Sequence, residues 1–242
     1  MRILVTRPRG DAAALADRLE RLGHSVLSEP LLTIELLPGA IGPLEGVTAI
    51  VATSRNGLRA LAASPRLAPA RALPLFTVGR STSALGRELG FGDLRGGDGT
   101  AIELAERIAV ELDPAAGPIL HLAGDHVTAG LGKRLTARGF RLIRPVCYQS
   151  RAQSSLSPAC AAELAAGSIG AVILLSPRTA AIYARLTAAD GRLDAAHGPV
   201  HVCISGAAAE ALVALGPIQV AIARRPNLDE IVALVRGLAA DA

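Results

Sequence analysis

Pro118-Ile119-Leu120-His121-Leu122-Ala123-Gly124, a helical pattern running to Arg138, then Gly139 and the apolar run Phe140–Tyr148 make a strand–helix–strand series that the chain contains twice. The earlier copy is Arg2–Thr6, a helix over Asp11–Leu22, Gly23 and a strand over His24–Ile34, with Gly23 aligning on Gly139. The segments after each copy repeat too. Thr48–Ser54 with its helix matches Ala171–Ser176, and Ser54 falls on Ser176. Leu75–Gly79 with its helix matches Val200–Ser205, and Leu89-Gly90 matches Leu215-Gly216. Gly92–Leu94 with the helix Thr100–Leu112 matches the closing Asn227–Leu238. Short β-rich runs alternating with amphipathic helices predict parallel sheets with crossover helices. A repeat of this length predicts a tandem duplication of one α/β unit.

The second strand of the repeated series is long both times. Leu31–Leu37 runs on toward Pro38-Gly39, and Ile143–Arg151 runs on toward the Ser-rich segment Gln153–Ser157. A sheet strand is typically about 5–6 residues, so the extensions, near residues 31–40 and 146–151, read as a two-stranded linker between domains. If the chain crosses at both points, residues 1–37 and 152–242 form one discontinuous α/β domain and 41–146 an inserted one. Simple halves, 1–116 and 117–242, are the alternative, and periodicity does not choose between them.

The chain has 242 residues, half of them hydrophobic, with a mean hydropathy of +0.40. That supplies two sizeable cores and excludes intrinsic disorder. No apolar stretch approaches the roughly 18–20 residues of a membrane span. The opening Met1–Pro8 reaches Arg7 too soon for a signal peptide, so the expectation is a cytoplasmic protein. Cys147, Cys160 and Cys203 are an odd number without CxxC spacing, which disfavours a disulfide framework and a zinc knuckle alike. Net charge is +4, and Lys133 is the sole lysine. The basic charge is therefore arginine, which reads either as codon bias or as a preference for carboxylate or phosphate ligands. Aromatic residues make up 2% of the chain, and the arginines are scattered. Neither a stacking platform nor a basic stripe for nucleic acid results.

Open parallel sheets bind ligands beyond the carboxyl ends of their strands. Those positions read Thr6-Arg7-Pro8, Thr53-Ser54-Arg55-Asn56-Gly57, Gly79-Arg80-Ser81-Thr82, Ala123-Gly124-Asp125, Ser176-Pro177-Arg178-Thr179 and Ser205-Gly206. Small hydroxyls and glycines at these places serve either as helix caps and tight turns or as seats for anions at helix starts. Other chemistries find no support. Gly97-Asp98-Gly99 lacks the third glycine of a dinucleotide loop, Gly132-Lys133 lacks the rest of a P-loop, and Cys203 replaces the first glycine of a nucleophile elbow. His197 and His201 are four apart, but Gly198-Pro199 between them forbids the helix that would make them a metal pair. His121 reads as a packed strand residue and Tyr183 as helical core, while the loop residue His126 stays open. Tyr148 falls in the long linker strand, where its hydroxyl either serves a ligand in an interdomain cleft or pins the linker.

The run Leu4–Pro8, the turn Thr53–Gly57, Val78-Gly79 followed by Thr82, Leu122–Gly124 and Val146-Cys147-Tyr148, in that order, resemble the uroporphyrinogen-III synthase family over essentially the whole chain. The resemblance implies two α/β domains joined by a two-stranded linker with one domain discontinuous, which favours the crossed arrangement. It also implies hydroxymethylbilane as substrate, uroporphyrinogen III as product, and a reaction without cofactor or metal. The proposed acid of the family carries over onto Tyr148. Its carboxylate-binding turns carry over onto Ser54, Asn56, Gly79, Thr82 and Ser176, with Arg55, Gly57, Gly124, Arg178 and Ser205 beside them. Arg7 matches a first-strand arginine, as a binding or a structural residue. The sequence departs from many members at Ser205 and Ala208, where Gly and Thr are common, and at Thr128, where Arg is.

The expectation is therefore a cytoplasmic, monomeric lyase of tetrapyrrole synthesis, touching the upstream bilane-producing enzyme at most transiently, and neither nucleic acid nor membrane. The alternatives are a non-catalytic two-domain α/β receptor for small anions and a silent paralogue that binds tetrapyrrole. Binding without isomer control would mark either.

Overall fold

The computed structural model describes residues 1–97, 99–126, 130–189, 191 and 193–240. Its elements in chain order are β1 (Arg2–Val5), α1 (Arg9–Glu20), β2 (Ser25–Ser28), β3 (Leu32–Leu36), β4 (Ala49–Ala52), α2 (Arg55–Ala62), α3 (Leu67–Ala70), β5 (Leu75–Val78), α4 (Arg80–Glu88), β6 (Leu94–Gly97), α5 (Ala101–Glu111) and β7 (Ile119–His121). They continue with β8 (Ala123–Gly124), α6 (Gly130–Ala137), β9 (Leu142–Ile143), β10 (Val146–Ala152), α7 (Pro158–Ala165), β11 (Ile169–Leu174), α8 (Pro177–Ala189), β12 (Val200–Cys203), α9 (Gly206–Glu210), β13 (Val220–Ile222) and α10 (Leu228–Ala240). None of the helices among the described residues is long and apolar enough to cross a membrane.

The chain divides into two compact units, a discontinuous one of Met1–Thr33 with Arg151–Ala242 and an inserted one of Ile34–Ser150. The division falls inside β3 and inside β10. The discontinuous unit holds a parallel sheet of order β13-β12-β11-β1-β2, and the inserted unit one of order β6-β5-β4-β7-β9. Strands are thus exchanged between the copies of the repeat. β1 and β2 pair into the sheet of the later β11, β12 and β13, while β7 and β9 join the earlier β4, β5 and β6.

Parallel sheets are covered on both faces, so their strands read as unbroken apolar runs. β4, Ala49-Ile50-Val51-Ala52, is buried at every position. Alternate residues then feed opposite layers. In the discontinuous unit, Leu4, Val172, Leu174 and Cys203 pack on one side with α7 and α8. Ile3, Val5, Ala171, Ile173 and Val202 pack on the other with α1 and α10. The inserted unit repeats the scheme, with Ile50, Ala52, Leu75 and Leu120 facing α2 and Ala49, Val51, Phe76 and Ile119 facing α5 and α6.

The long strands expected from the sequence are each broken in two. His24–Ile34 becomes β2 and β3, with Pro30 in the gap, and Phe140–Tyr148 becomes β9 and the first part of β10, with Arg144-Pro145 in the gap. Proline has no N–H for the ladder and ends a strand. In both copies the piece before the proline stays in the parent sheet. The piece after it leaves: β3 and β10 are neighbours in a separate small sheet. They run antiparallel, with the Leu37 N–H donating to the Cys147 carbonyl at 2.8 Å and the Gln153 N–H to the Leu31 carbonyl at 3.0 Å. The break at Pro30 also turns Glu29 inward, 5% exposed. Its carboxylate accepts from the Ser157 N–H at 2.8 Å and the Ser157 hydroxyl at 2.5 Å, at the cap of α7.

Candidate functional site

In the inserted unit β8 pairs in parallel with β10, and Gly124 stands opposite Tyr148. A Cβ built on Gly124 would lie 2.5 Å from Tyr148 Cε2, 2.6 Å from Cζ and 2.9 Å from the phenol oxygen. Glycine is needed here for room, not for backbone freedom. The Asp125 N–H donates to the Tyr148 carbonyl at 3.1 Å, and the Asp125 carboxylate accepts from the Ser150 N–H at 3.2 Å. Asp125 thereby holds the strand backbone at Tyr148 and at Ser150.

The Ser54 side chain is close enough to the phenol to lower its pKa. Ser54 follows β4 and caps α2, its hydroxyl accepting from the Asn56 N–H at 3.2 Å. Gly57 lets α2 start this close to the sheet, since a Cβ there would lie 2.7 Å from the Leu122 carbonyl oxygen. Asn56 turns its carbonyl oxygen to Arg59 Nη1 at 2.9 Å. Burial pushes the Tyr148 pKa up, the Ser54 side chain opposes this in part, and the nearby Cys147 and Asp125 add to the rise. The net shift is upward, so the phenol is a proton-carrying donor at neutral pH. Burial alone would also raise the Asp125 pKa, but hydrogen bonds from His126 and the Ser150 backbone outweigh it and leave the carboxyl below its usual range.

The turn after β5 is built differently. Gly79 has φ +82°, a conformation that favours glycine. Its N–H donates to the Gly97 carbonyl at 2.9 Å, while its own carbonyl accepts from the Thr82 and Ser83 N–H groups, both at 3.1 Å. Thr82 is 4% exposed. Behind the turn, Thr77 Oγ1 and Ser83 Oγ are 2.7 Å apart in a buried pair. Gly96 leaves room for that pair; a Cβ there would land on Thr77 Oγ1 and come within 2.5 Å of Ser83 Oγ.

Arg55 is the first residue of α2 in the inserted unit, and the other sequence-derived residues lie in the discontinuous unit, at the carboxyl ends of β1, β11 and β12. Thr6 donates to the Ile173 carbonyl at 2.7 Å, and Arg7 stands 3.9 Å from Asp11. Ser176 caps α8, accepting from the Thr179 N–H at 3.1 Å and sharing a 2.7 Å hydrogen bond with its hydroxyl. Arg178 is half-buried in the first turn. Ser205 caps α9, with the Ala208 N–H at 3.4 Å. Thr128 lies outside the described residues.

Both readings of the strand-end residues therefore leave their mark. The N–H groups of Asn56, Gly57, Thr82 and Thr179 are engaged in the caps themselves, and that of Gly79 in a bond to β6. Yet α2, α4 and α8 carry no acidic residue in the first turn, so their positive dipole ends are left uncompensated. By contrast α5 opens with Glu103 in a capping box, and α10 with Asp229 and Glu230. Sequence reasoning placed Asp125 at a strand end without giving it a part of its own, and missed the supporting residues Thr77, Ser83 and Gly96. Only the glycine and hydroxyl residues flanking β5 and β6 hinted at the last three.

His121 and His201 are buried strand residues, 1% and 0% exposed. Burial lowers both pKa values to about 4. His201 packs its ring against Tyr183, centroids 5.5 Å apart. His197 Nε2 lies 3.1 Å from the Leu215 carbonyl. Cys147, Cys160 and Cys203 are buried and free.

The family model of uroporphyrinogen-III synthase HemD matches residues 13–233. No curated protein matches the chain. Among solved structures, uroporphyrinogen-III synthetase from Helicobacter pylori superposes with a TM-score of 0.69 at 17% identity, covering 98% of this chain and 100% of that one. A mutant uroporphyrinogen III synthase from Thermus thermophilus superposes at 0.55 and 16% identity, covering 100% of both chains. At such identities the structures speak for the fold, whereas the family model spans nearly the whole sequence, from within α1 to within α10. The chain belongs to the uroporphyrinogen-III synthase family.

Proposed function

We propose that this chain cyclises hydroxymethylbilane to uroporphyrinogen III with release of water, a lyase reaction of tetrapyrrole synthesis, carried out in the cytoplasm by a monomer. The family match over residues 13–233 carries this reading. Departure of the hydroxyl from ring A leaves an electrophilic azafulvene. Ring D attacks it through its substituted carbon to give a spiro intermediate, which fragments and recloses with ring D inverted. Unaided, the bilane closes to the type I isomer, so holding one folded conformer is the main task.

In this proposal Tyr148 is the proton donor to the departing hydroxyl. A half-buried phenol whose pKa is raised keeps its proton at neutral pH, and the Gly124 backbone beside it sets the room in which the ring lies. The proton that ring D loses on reclosing restores the phenol, so the cycle needs no external acid. The substrate carries eight carboxylates. Turns with uncompensated helix dipoles, at Ser54–Gly57 and Gly79–Thr82, suit such groups at about 0.3–1 kcal/mol each. Gly124 makes room for the donor. Arg7, Ser176, Arg178 and Ser205 are assigned the same carboxylate-binding part in the discontinuous unit.

The test is an isomer assay. Hydroxymethylbilane generated in place is incubated with the purified chain, and the oxidised porphyrins are separated by chromatography. Predominantly type III product is expected. Type I alone, at the level without protein, would overturn the assignment.

A further inference from the structure

Two residues, Ala123-Gly124, make up β8, and its pairing with β10 shifts register between Val146 and Tyr148. So short and uneven a ladder does little by itself to fix where Gly124 lies against the Tyr148 ring. The next residue supplies what is missing. In a parallel ladder a residue donates its N–H to one residue of the neighbouring strand and accepts, through its carbonyl, from the N–H two residues on. The Asp125 N–H makes the first of these bonds, to the Tyr148 carbonyl at 3.1 Å. The Ser150 N–H makes the second to the Asp125 carboxylate, with Oδ1 at 3.2 Å and Oδ2 at 3.3 Å. A side chain thus extends the ladder by one step while the main chain bends at Asp125 and His126.

The carboxylate is itself held in place. The His126 N–H donates to Oδ1 at 3.0 Å, and His126 Nδ1 lies 3.1 Å from Oδ2. Hydrogen bonds to an ionised acceptor are roughly twice as strong as neutral ones. Tyr148 Cε2 lies 2.5 Å from the point where Gly124 would carry a Cβ, so the ring rests on the segment that Asp125 ties down. A shift of that segment shifts the phenol.

We propose that Asp125 is a positioning residue for Tyr148, its carboxylate tying the end of β8 to β10 so that the phenol faces the departing hydroxyl. The inference rests on the reaction proposed above, with Tyr148 as its donor, and assigns the alignment of that donor to a side chain that transfers no proton itself. Misplacing a reacting group by about 1 Å costs about a hundredfold in rate, and an interaction needed only in the transition state is lost from kcat and not from KM.

The test is a double-mutant cycle on the rate of type III formation from hydroxymethylbilane, a product that unaided closure does not give. Asp125→Ala is expected to lower kcat roughly thirtyfold with KM changed by less than about twofold. In the Tyr148→Phe background the same substitution should change kcat by less than about twofold, because the group it aligns is gone. Asp125→Asn keeps an acceptor for the Ser150 N–H and should recover kcat to within about threefold of the unaltered chain. Equal losses from Asp125→Ala in both backgrounds, or Asp125→Asn as slow as Asp125→Ala, would overturn the proposal and leave the reaction intact. Should Asp125→Ala fail to fold, a fall of more than about tenfold in Asp125→Asn overturns it just as well. Failure of the unaltered chain to produce type III would instead overturn the reaction, and the part given to Asp125 with it.

Discussion

The Tyr148 phenol oxygen lies 2.9 Å from the point where a Cβ on Gly124 would stand, with ring atoms nearer still. The two residues face each other across β8 and β10, so a methyl group there has no way to avoid the ring. Gly124→Ala should displace the phenol and lower turnover at least tenfold, with an overpacking cost of about 1–3 kcal/mol. Turnover and thermal unfolding of the same preparation check it. A fully active Gly124→Ala would show that the ring direction is not needed.

Tyr148→Phe removes the donor and keeps the ring. Loss of a general acid predicts a fall in kcat of about a hundredfold, with little change in melting temperature. The pH dependence comes from the sign of the shift. A phenol raised above its ordinary pKa holds its proton up to and beyond about pH 10, so its deprotonation should cause no loss of rate between roughly pH 7 and 9. An alkaline limb in that window that vanishes in Tyr148→Phe would contradict the assignment.

Gly96 is predicted to matter through hydroxyls on a neighbouring strand and helix. Gly96→Ala would drive a methyl into Thr77 Oγ1 and Ser83 Oγ and break a buried pair. Destabilisation of about 1–3 kcal/mol is expected, readable as a lower denaturant midpoint. An unchanged midpoint would mean that β6, an edge strand, moves outward at no cost.

His121 and His201 give each unit its own sensitivity to acid. Both are buried with pKa values lowered to about 4, whereas in the unfolded chain they take up protons from about pH 6.5 downward. Stability is therefore complete above about pH 6.5, falls as pH drops from there toward about 4, and levels off below. Each histidine accounts for up to about 1.4 kcal/mol per pH unit in that window. Neither ring nitrogen of His121 has a hydrogen-bond partner among the described residues. His121→Leu should accordingly flatten the pH dependence without lowering stability at neutral pH. Urea unfolding at about pH 7 and about pH 5 reads both effects.

Periodicity revealed the strands and helices because each strand is a short apolar run closed by a small or hydroxyl residue, as at Ala52-Thr53-Ser54 and Leu174-Leu175-Ser176. It overran at Pro30 and Pro145, where the flanking residues stay β-prone and only the missing N–H ends the strand. β13 escaped notice because three residues, Val220-Ala221-Ile222, are too few to show a period. For the site, sequence placed Tyr148 and Ser54 separately on strand and turn. It gave no sign of their proximity, since that brings together residues far apart in the chain and arises from sheet pairing. The fit of Gly124 against the Tyr148 ring was invisible for the same reason: a glycine chosen for space looks like one chosen for a turn.

The exchange of strands between the two copies of the repeat has a bearing on how the chain is made. The inserted unit is continuous in sequence, so everything it needs has left the ribosome once Ser150 emerges. Residues 1–33 emerge earlier but cannot close their sheet, because Arg2 must wait for Ile169, its neighbour in the finished structure. Domains generally fold as units during synthesis, the amino-terminal one first, and here the unit that holds residues 1–33 is the one whose sequence is complete last. Residues 1–33, made before the inserted unit, belong to the unit completed after it, and through the synthesis of the whole inserted unit their apolar strand Ile3-Leu4-Val5 has only β2 to pair with.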